Sequence, residues 1–415
     1  MPASSFPGPG DVFREFFYRY PAWSEPAMPY HSAIVDPHAG GITGSELREQ
    51  LRFERPLYLM IPDLKDAVRA ELVVEYWGGH IGSSIPGFRV NGSDYLPMPD
   101  VFNTPTQKEA YYRCVMGSPT TPIPLELLRE GLNEFRFAAG PQIKYDFKAG
   151  FYWLYCFGVR VYYDPAVVHP EVEVISPRAG QKLGDGSVFE AAVKPGQYPV
   201  TQVDFVSNHL DFNWSGNGLW RDWHFRYRYG TLERHIGSAF AFPWRVCWHS
   251  SWVPDQVESF SLLARVVDAS GLCSISPLVD GLKLQREDRS VRMYTSADVP
   301  EKFGSRIGQR VSCTIQIQDR LEDVYSARLA LSTWCGGHEG HIYLNDHLIV
   351  PVLGKIHDVA FDSLVVPPEI LRQGENVFSV QSDTEEHAVE INWPGPALLV
   401  QYNGRMPGLS SMKEQ

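Results

Sequence analysis

Short stretches of alternating apolar and polar residues recur along the whole chain. AELVVEYW from Ala70 and ARLALSTW from Ala327 show the pattern, which is typical of strands with one buried face. Among 415 residues, 35 glycines and 32 prolines interrupt the sequence too often for long helices and favour strands joined by turns. The pattern therefore predicts an all-β protein, and the length predicts several domains.

Two distant segments share their apolar pattern and their turn residues in the same order. AELVVEYWGGHIG from Ala70 corresponds to ARLALSTWCGGHEG from Ala327, and in each a strand ends in Trp just before a Gly-Gly-His sequence. Two further blocks follow in each copy: a hairpin turn at Asn91 or Asn345, then PLELLREGLNEF against PPEILRQGENVF. These ordered matches predict an internal duplication.

The repeated blocks resemble the galactose-binding-like, jelly-roll β-sandwich modules attached to many glycosidases. The resemblance rests on the strand, the V-N-G hairpin and the P-x-x-L-L-x-x-G-x-N-x-F segment, and it implies a short helical turn that leads into a core strand. Between the copies, PEVEVISPRAGQKL and the hairpin at residues 268–271 resemble a bacterial Ig-like or fibronectin-like domain. The expected architecture is two jelly-roll, galactose-binding-like β-sandwiches flanking a central Ig-like β-sandwich.

The repeat also sets the expected domain limits. Residues 1–165 are predicted to form the first jelly-roll domain, 166–286 the Ig-like domain and 287–403 the second jelly-roll domain. Residues 404–415 are predicted to be a flexible tail.

Charge and composition narrow the classes of partner. The formal charge of −12 opposes nucleic acid and anionic membrane, because both require a basic surface. We therefore expect no nucleic-acid or membrane partner. Aromatic residues reach 13%, and their flat faces suit sugar rings as well as cores, so carbohydrate is the expected partner. The alternative of a homo-oligomer stays open.

Targeting signals and cofactor motifs are not found in the sequence. The start, MPASSFPGPG, has no basic segment and apolar run of a secretory signal. The six cysteines show no zinc-site spacing and are interpreted as free thiols, which weakly favours the cytoplasm but leaves the localisation unknown. We expect no organic cofactor, because the phosphate-loop and dinucleotide motifs are absent.

One loop has the spacing of a calcium site. Oxygen-bearing side chains occupy loop positions one, three and five, glycine position six and a carboxylate position twelve, which resembles dockerin-type, EF-hand-like loops. Ser215 stands where such loops usually have Asp, and no flanking helices are evident. The alternative is a polar Asn-Gly-rich turn without metal. The candidate ligands are Asp211, Asn213, Ser215, Asn217 and Asp222.

Aromatic and histidine side chains near glycine-rich turns are candidate ligand contacts. A sugar-stacking platform and an aromatic core that packs against the flanking domains are the two interpretations, and the second is favoured. The Trp-Gly-Gly-His elements suit either ligand approach or tight turns after strands, and the second interpretation is favoured here too. The candidates are Trp77, His80, Trp220, Trp223, His224, Trp334, His338, His387 and Trp393.

Catalysis is harder to locate, because glycoside hydrolysis needs a pair of carboxyl groups across one bond and sequence spacing cannot show convergence. The segment EEHAVEINWPGP is the most site-like, and Glu386, Glu390 and Asp222 are the candidate catalytic acids. We first expect a carbohydrate-binding or accessory protein. The alternatives are a glycan-cleaving enzyme, either hydrolase or lyase, and a structural or assembly protein.

Overall fold

The computed structural model describes residues 6–18, 31–34, 56–77, 87–99, 114–115, 118–138, 151–228, 230–300, 302–334, 336–337, 340–354, 359–385 and 389–404. These residues form strands, turns and a pair of short 3-10 turns, so the predicted all-β class is confirmed. No helix in this part of the chain is long and apolar enough to cross a membrane.

The first module, residues 6–163, is a β-sandwich. One sheet joins β1, β2 and β4 to β10, with β7 and β8 on β4, and the other has the order β3-β9-β5-β6. Its strands are β1 (Val12–Phe17), β2 (His31–Ile34), β3 (Leu57–Ile61), β4 (Ala67–Trp77), β5 (Gly87–Val90), β6 (Leu96–Pro97), β7 (Cys114–Val115), β8 (Thr120–Ile123), β9 (Gly131–Ala138) and β10 (Phe151–Tyr163), with a 3-10 turn at Leu125–Leu127. Apolar side chains from both sheets, such as Leu72, Phe135 and Phe157, form one core.

The central module, residues 171–286, is a second sandwich. Its strands are β11 (Glu171–Ser176), β12 (Lys182–Leu183), β13 (Val188–Lys194), β14 (Val200–Ser207), β15 (Arg226–Arg228), β16 (Thr231–Glu233), β17 (Gly237–Ala239), β18 (Arg245–Cys247), β19 (Phe260–Asp268), β20 (Leu272–Ile275) and β21 (Val279–Leu284). The sheet β11-β13-β18 packs on the strands around β19, with Phe189, Phe205 and Leu262 in the core.

The third module, residues 289–404, repeats the layout of the first. Strands β22, β28 and β30 join β25 and β31 in one sheet, and the other has the order β24-β29-β26-β27. Its strands are β22 (Arg289–Thr295), β23 (Gly304–Ser305), β24 (Arg310–Ile317), β25 (Val324–Trp334), β26 (Gly340–Leu344), β27 (His347–Val350), β28 (Val359–Val366), β29 (Gly374–Ser382), β30 (Val389–Ile391) and β31 (Ala397–Asn403), with a 3-10 turn at Pro368–Ile370.

Buried asparagines make the same hydrogen bonds in the first and third modules. Asn133 and Asn376 are fully buried, and each donates through Nδ2 to the carbonyl oxygen four residues earlier at 2.7 Å. Each also accepts, through Oδ1, a hydrogen bond from the hairpin asparagine, Asn91 at 2.8 Å or Asn345 at 2.9 Å. These bonds tie the turn before β9 or β29 to the neighbouring hairpin. Both hairpin asparagines have positive φ angles, as their turn positions require.

One sheet continues from the central module into the first. Strand β1 pairs with β10 on one side and with β20 on the other, where Val12 lies opposite Ser274 and Phe13 opposite Cys273. Phe13, Val206 and Ile275 belong to a separate apolar cluster that covers this junction. The sheet therefore crosses the predicted domain limit at residue 165, and the limits themselves stay a prediction.

The third module packs on the central module through aromatic side chains. The cluster consists of Leu210, Phe212, Trp214, Trp220 and Trp252 of the central module and Met293, Ala330, Ala397 and Leu399 of the third. The third module also reaches the first directly, because Trp334 Nε1 donates to the hydroxyl of Tyr155 at 3.3 Å. The modules thus contact one another in every pairwise combination.

Candidate functional site

A groove of about 520 Å³ lies between the first and central modules. Tyr18, Tyr58 and Met60 of the first module line one side, and Gln202 of the central module lines the other. Most of its lining follows from two features of the fold, the junction of β1 with β20 and the edge position of β3. Clefts between modules are preferred places for small-molecule sites.

The rim of the groove is formed by β3, whose alternation puts aromatic and apolar side chains in water. Leu59 and Ile61 enter the core, so Tyr58 and Met60 point outward and are 47% and 54% exposed. Met60 lies opposite Leu132 of β9, which is also exposed. The outer face of this sheet therefore carries an apolar strip beside the groove.

Charged side chains border that strip. Arg136 Nε donates to Glu134 Oε1 at 2.6 Å, and this hydrogen bond is the main cause that raises the pKa of Arg136. The Arg89 guanidinium lies 5.4 Å from the centre of the Tyr95 ring. Tyr58 faces Glu134 across the strand pair. Hydrogen-bonding groups thus stand beside an exposed aromatic side chain.

The floor of the groove is a buried ion-pair network. Glu15 Oε1 accepts from Arg160 Nε at 2.8 Å and from the Tyr227 hydroxyl at 2.6 Å, and Glu15 Oε2 accepts from Arg265 Nη1 at 2.8 Å. Arg160 also donates to Glu71 at 2.6 Å. Burial alone would lower the pKa of Arg160, but the surrounding acids and tyrosines, with Glu15 first, raise it well above its ordinary value.

The central module continues this network on its own side. Arg265 Nε donates to Asp204 Oδ2 at 2.8 Å, and Gln202 Nε2 donates to Asp204 Oδ1 at 2.6 Å. Burial would raise the pKa of Asp204, but Arg265 and the hydrogen bonds from Ser238 and Gln202 hold it below its ordinary value. The floor therefore has fixed charges, and the polar side chains at the groove are held in place by hydrogen bonds.

The sequence interpretation missed the groove residues. Tyr18, Tyr58 and Met60 lie in segments without a repeat match or a turn motif. The only available signal was LYLMI at residues 57–61, where an aromatic and a methionine occupy the face that alternation leaves for polar residues.

The predicted calcium loop is hydrogen-bonded to itself. Asn213 Nδ2 donates to Ser215 Oγ at 3.0 Å and to Asn217 Oδ1 at 2.7 Å, and Asn217 Nδ2 donates to Asp222 Oδ2 at 2.6 Å. Asp211 Oδ1 accepts from the next backbone N–H. In the described part of the chain, no group of three or more His, Cys, Asp or Glu is placed to hold a metal. Two of the candidate oxygens, Ser215 Oγ and Asn217 Oδ1, thus accept from one amide nitrogen, which does not fit a cation at that place. Calcium binding stays a prediction.

The aromatic candidates of the central module lie at contacts between modules. Trp220 meets Phe212 edge to face at 5.9 Å within the cluster that packs on the third module. Trp223 stacks on Phe6 of the first module at 6.4 Å. Both are half-buried. Their positions account for them as packing residues, and their predicted role in ligand binding stays a prediction.

His224 is a buried core histidine in this structure. Its Nε2 lies 2.7 Å from the carbonyl oxygen of His209, and the two imidazole rings are 4.4 Å apart. Burial, aided by His209, lowers the pKa of His224 to about 4, so the ring is neutral at pH 7.

The Trp-Gly-Gly-His elements are described only in part. Trp334 is buried at the end of β25 and contacts Tyr155, as noted above. Trp77 ends β4, where its backbone pairs with Trp153. The remaining features lie outside the described residues: the Trp77 side chain, His80, His338, Glu386 and His387.

The candidate acids that are described lie on different modules. Glu390 is buried on β30, and burial raises its pKa well above the ordinary value although Arg306 acts in the opposite direction. Trp393 follows that strand and is half-buried. Asp222 belongs to the central module, where it accepts from Asn217. No hydrogen bond or ion pair of the described residues joins Asp222 to Glu390, and their convergence stays a prediction.

Comparisons with known proteins leave the family open. No family model matches the sequence, and no curated protein matches it. Among solved structures, the chain is similar to fibronectin(III)-like modules of Clostridium thermocellum CbhA, with 16% identity over 52% of this chain and 97% of that one and a TM-score of 0.18.

Further solved structures are similar to the same low degree. A β-porphyranase of glycoside hydrolase family 86 from Bacteroides plebeius is 13% identical over 58% of this chain and 38% of that one, with a TM-score of 0.22. Carbohydrate-binding modules of the β-sandwich superfamily are 10% identical over 58% of this chain and 98% of that one, with a TM-score of 0.17. Similarity at these TM-scores does not identify a function for this chain.

Proposed function

We propose that the chain is a carbohydrate-binding protein and that the groove between the first and central modules is its binding site. The observation that carries the proposal is the exposed rim of β3. There the Tyr58 side chain is 47% exposed, at the edge of a groove of about 520 Å³. An aromatic ring offers a flat apolar face to the C–H side of a pyranose.

The polar groups around the groove suit the remaining requirements of a sugar. Hydroxyl groups need donors and acceptors at fixed positions, and Gln202 presents an amide whose nitrogen is already held by Asp204. Arg136 and Glu134 add a donor and an acceptor beside Tyr58. The net charge of −12 favours a neutral glycan over a strongly anionic one.

The test is a glycan-array screen, followed by calorimetric titration of the best ligand. Tyr58→Ala is expected to weaken binding about tenfold, or ~1.4 kcal/mol, the size of one lost aromatic contact. The matched control is Tyr325→Ala, because Tyr325 is similarly exposed at 40% but lies on β25 of the third module. The control is expected to bind like the wild type.

Two outcomes would count against this function. Absence of binding across the array would remove carbohydrate recognition as a whole. Equal affinities for Tyr58→Ala and wild type, with a detectable ligand, would place the sugar elsewhere on the molecule.

We also propose that the first and third modules are copies of one ancestral module. Support comes from the matching hydrogen bonds of Asn133 and Asn376 and from the corresponding strand orders, β3-β9-β5-β6 and β24-β29-β26-β27. The copies differ where a ligand would meet them, because Tyr58 corresponds by strand register to Thr314. Sugar binding in the groove is thus specific to the first copy.

A further inference from the structure

The third module holds a cluster of buried polar side chains on the outer face of β25 and β30. Glu390 lies opposite Trp334 in the strand register, and it is 5% exposed. Asn392 follows β30, is 1% exposed, and binds Ser332 through both its backbone N–H and its Nδ2, each at 2.9 Å. Glu390, Asn392, Ser332 and Trp334 are called the Glu390 cluster below.

Several polar atoms at this place lack a partner. Glu390 Oε2 and Asn392 Oδ1 are buried, and neither has a hydrogen bond within the described part of the chain. Trp393 Nε1, on the next residue, is likewise buried without a hydrogen bond in the described part of the chain. Each such group costs about 1–3 kcal/mol when buried unsatisfied, and native proteins satisfy more than about 90% of them. Three neighbouring exceptions in one segment call for a ligand.

The charge state of Glu390 defines the kind of ligand. Burial raises the pKa of Glu390 well above its ordinary value, and the nearby charge of Arg306, which acts in the opposite direction, does not reverse the shift. Burial thus favours the neutral form of the carboxyl, which has one O–H donor and remaining acceptor capacity. Asn392 adds an acceptor, and the Trp334 ring adds an apolar surface.

We propose that the Glu390 cluster is a second ligand subsite, which binds a hydroxyl group of a neutral polyhydroxyl compound such as a sugar. The hydroxyl oxygen accepts from the carboxylic acid of Glu390, and its hydrogen is donated to Asn392 Oδ1. Trp393, the residue after Asn392, is half-buried, so solvent reaches the chain directly beside the cluster. The subsite is on a different module from the groove and requires no binding there; only the choice of sugars as probes rests on the proposed function.

The experiment uses the full chain with Tyr58→Ala, in which binding in the groove is expected to be about tenfold weaker. Neutral monosaccharides and disaccharides are titrated while ligand resonances are observed by saturation-transfer NMR. Glu390→Leu, which keeps similar volume without hydrogen bonds, is expected to weaken binding at least about tenfold. Glu390→Gln is expected to bind within a few-fold of the parent, because the amide keeps a donor and an acceptor.

A pH series separates a ligand contact from a structural role. The parent is expected to lose affinity as pH rises and Glu390 ionises, whereas Glu390→Gln is expected to bind equally across the series. Glu322→Leu, at an exposed acid of the same module, is the matched control and is expected to change nothing. Calorimetric melting confirms that each variant is folded.

Two results would overturn the subsite. The first is a probe whose binding is unaffected by Glu390→Leu, and the second is the absence of any Glu390-dependent binding across the probes. Both are distinguishable from failure of the groove, since groove binding is measured in the protein with Tyr58 intact and Glu390 unchanged.

Discussion

Replacement of Arg160 by Met removes one cation from the network that joins the first and central modules. Arg160 is fully buried and pairs with Glu15 at 2.7 Å and Glu71 at 2.6 Å. Methionine fills a similar volume but cannot donate a hydrogen bond. The substitution leaves a pair of carboxylates that were previously held by one guanidinium.

The expected loss can be worked from the contacts that remain. Removing one partner of a buried ion pair costs about 3–5 kcal/mol. Glu15 keeps Arg265 and the Tyr227 hydroxyl, so most of the cost falls on Glu71. Among the described residues, the hydrogen bond that Glu71 keeps is from the Tyr162 hydroxyl at 2.6 Å. Glu71 is also partly exposed, at 15% of its side chain. The loss is therefore expected near the lower limit, ~3 kcal/mol.

Differential scanning calorimetry measures this effect. At ~3 kcal/mol, the transition that includes the first and central modules is expected to fall by about 6–12 °C. Addition of Glu71→Gln is expected to recover at least ~1 kcal/mol, because it removes the uncompensated charge. A drop of less than ~1 kcal/mol for Arg160→Met, or no recovery in the double variant, would refute the reasoning.

The remaining predictions concern the other modules. Asn133→Ala and Asn376→Ala are each expected to cost about 2–4 kcal/mol in urea unfolding, and a cost confined to one of them would contradict their equivalence. Because the pKa of Glu390 is raised in the folded state, its protonated form stabilises the fold at pH values below its unfolded pKa. This contribution is lost as pH rises through the folded pKa. As pH rises, the melting temperature is expected to fall more steeply for the wild type than for Glu390→Gln. Parallel curves would contradict this contribution of Glu390. Calcium is expected to leave the melting temperature of metal-stripped protein unchanged, because Asn213 Nδ2 donates to two of the candidate ligand oxygens, Ser215 Oγ and Asn217 Oδ1. A rise in melting temperature would favour the calcium site.

Local patterns predicted the strands and the turns of the repeated modules. The alternation in AELVVEYW and ARLALSTW corresponds to β4 and β25. The third repeated block begins with the 3-10 turn at Leu125–Leu127 or Pro368–Ile370, and its Gly and Asn lie in β9 or β29. These features depend on neighbours within a few residues, so the sequence carries them directly. Asn133 was recognised as part of a motif, but its bonds to the hairpin became visible only in three dimensions.

The groove could not be predicted because it depends on contacts between distant segments. Glu15, Arg160 and Arg265 are far apart in the sequence, and each sits in a strand at a position that alternation assigns to an outer face. They are buried because the outer face of one module is covered by another, a relation that periodicity does not encode. The same holds for Trp220, which the aromatic pattern marks without indicating which module it meets.

Hydrogen exchange with and without the best glycan of the array tests the carbohydrate site most directly. The account predicts slower exchange at Leu57–Ile61 and at residues 16–18, which line the groove, and no change at β24 or β29 of the third module. Protection confined to residues 211–222 or to the third module, with the groove amides unchanged, would contradict it.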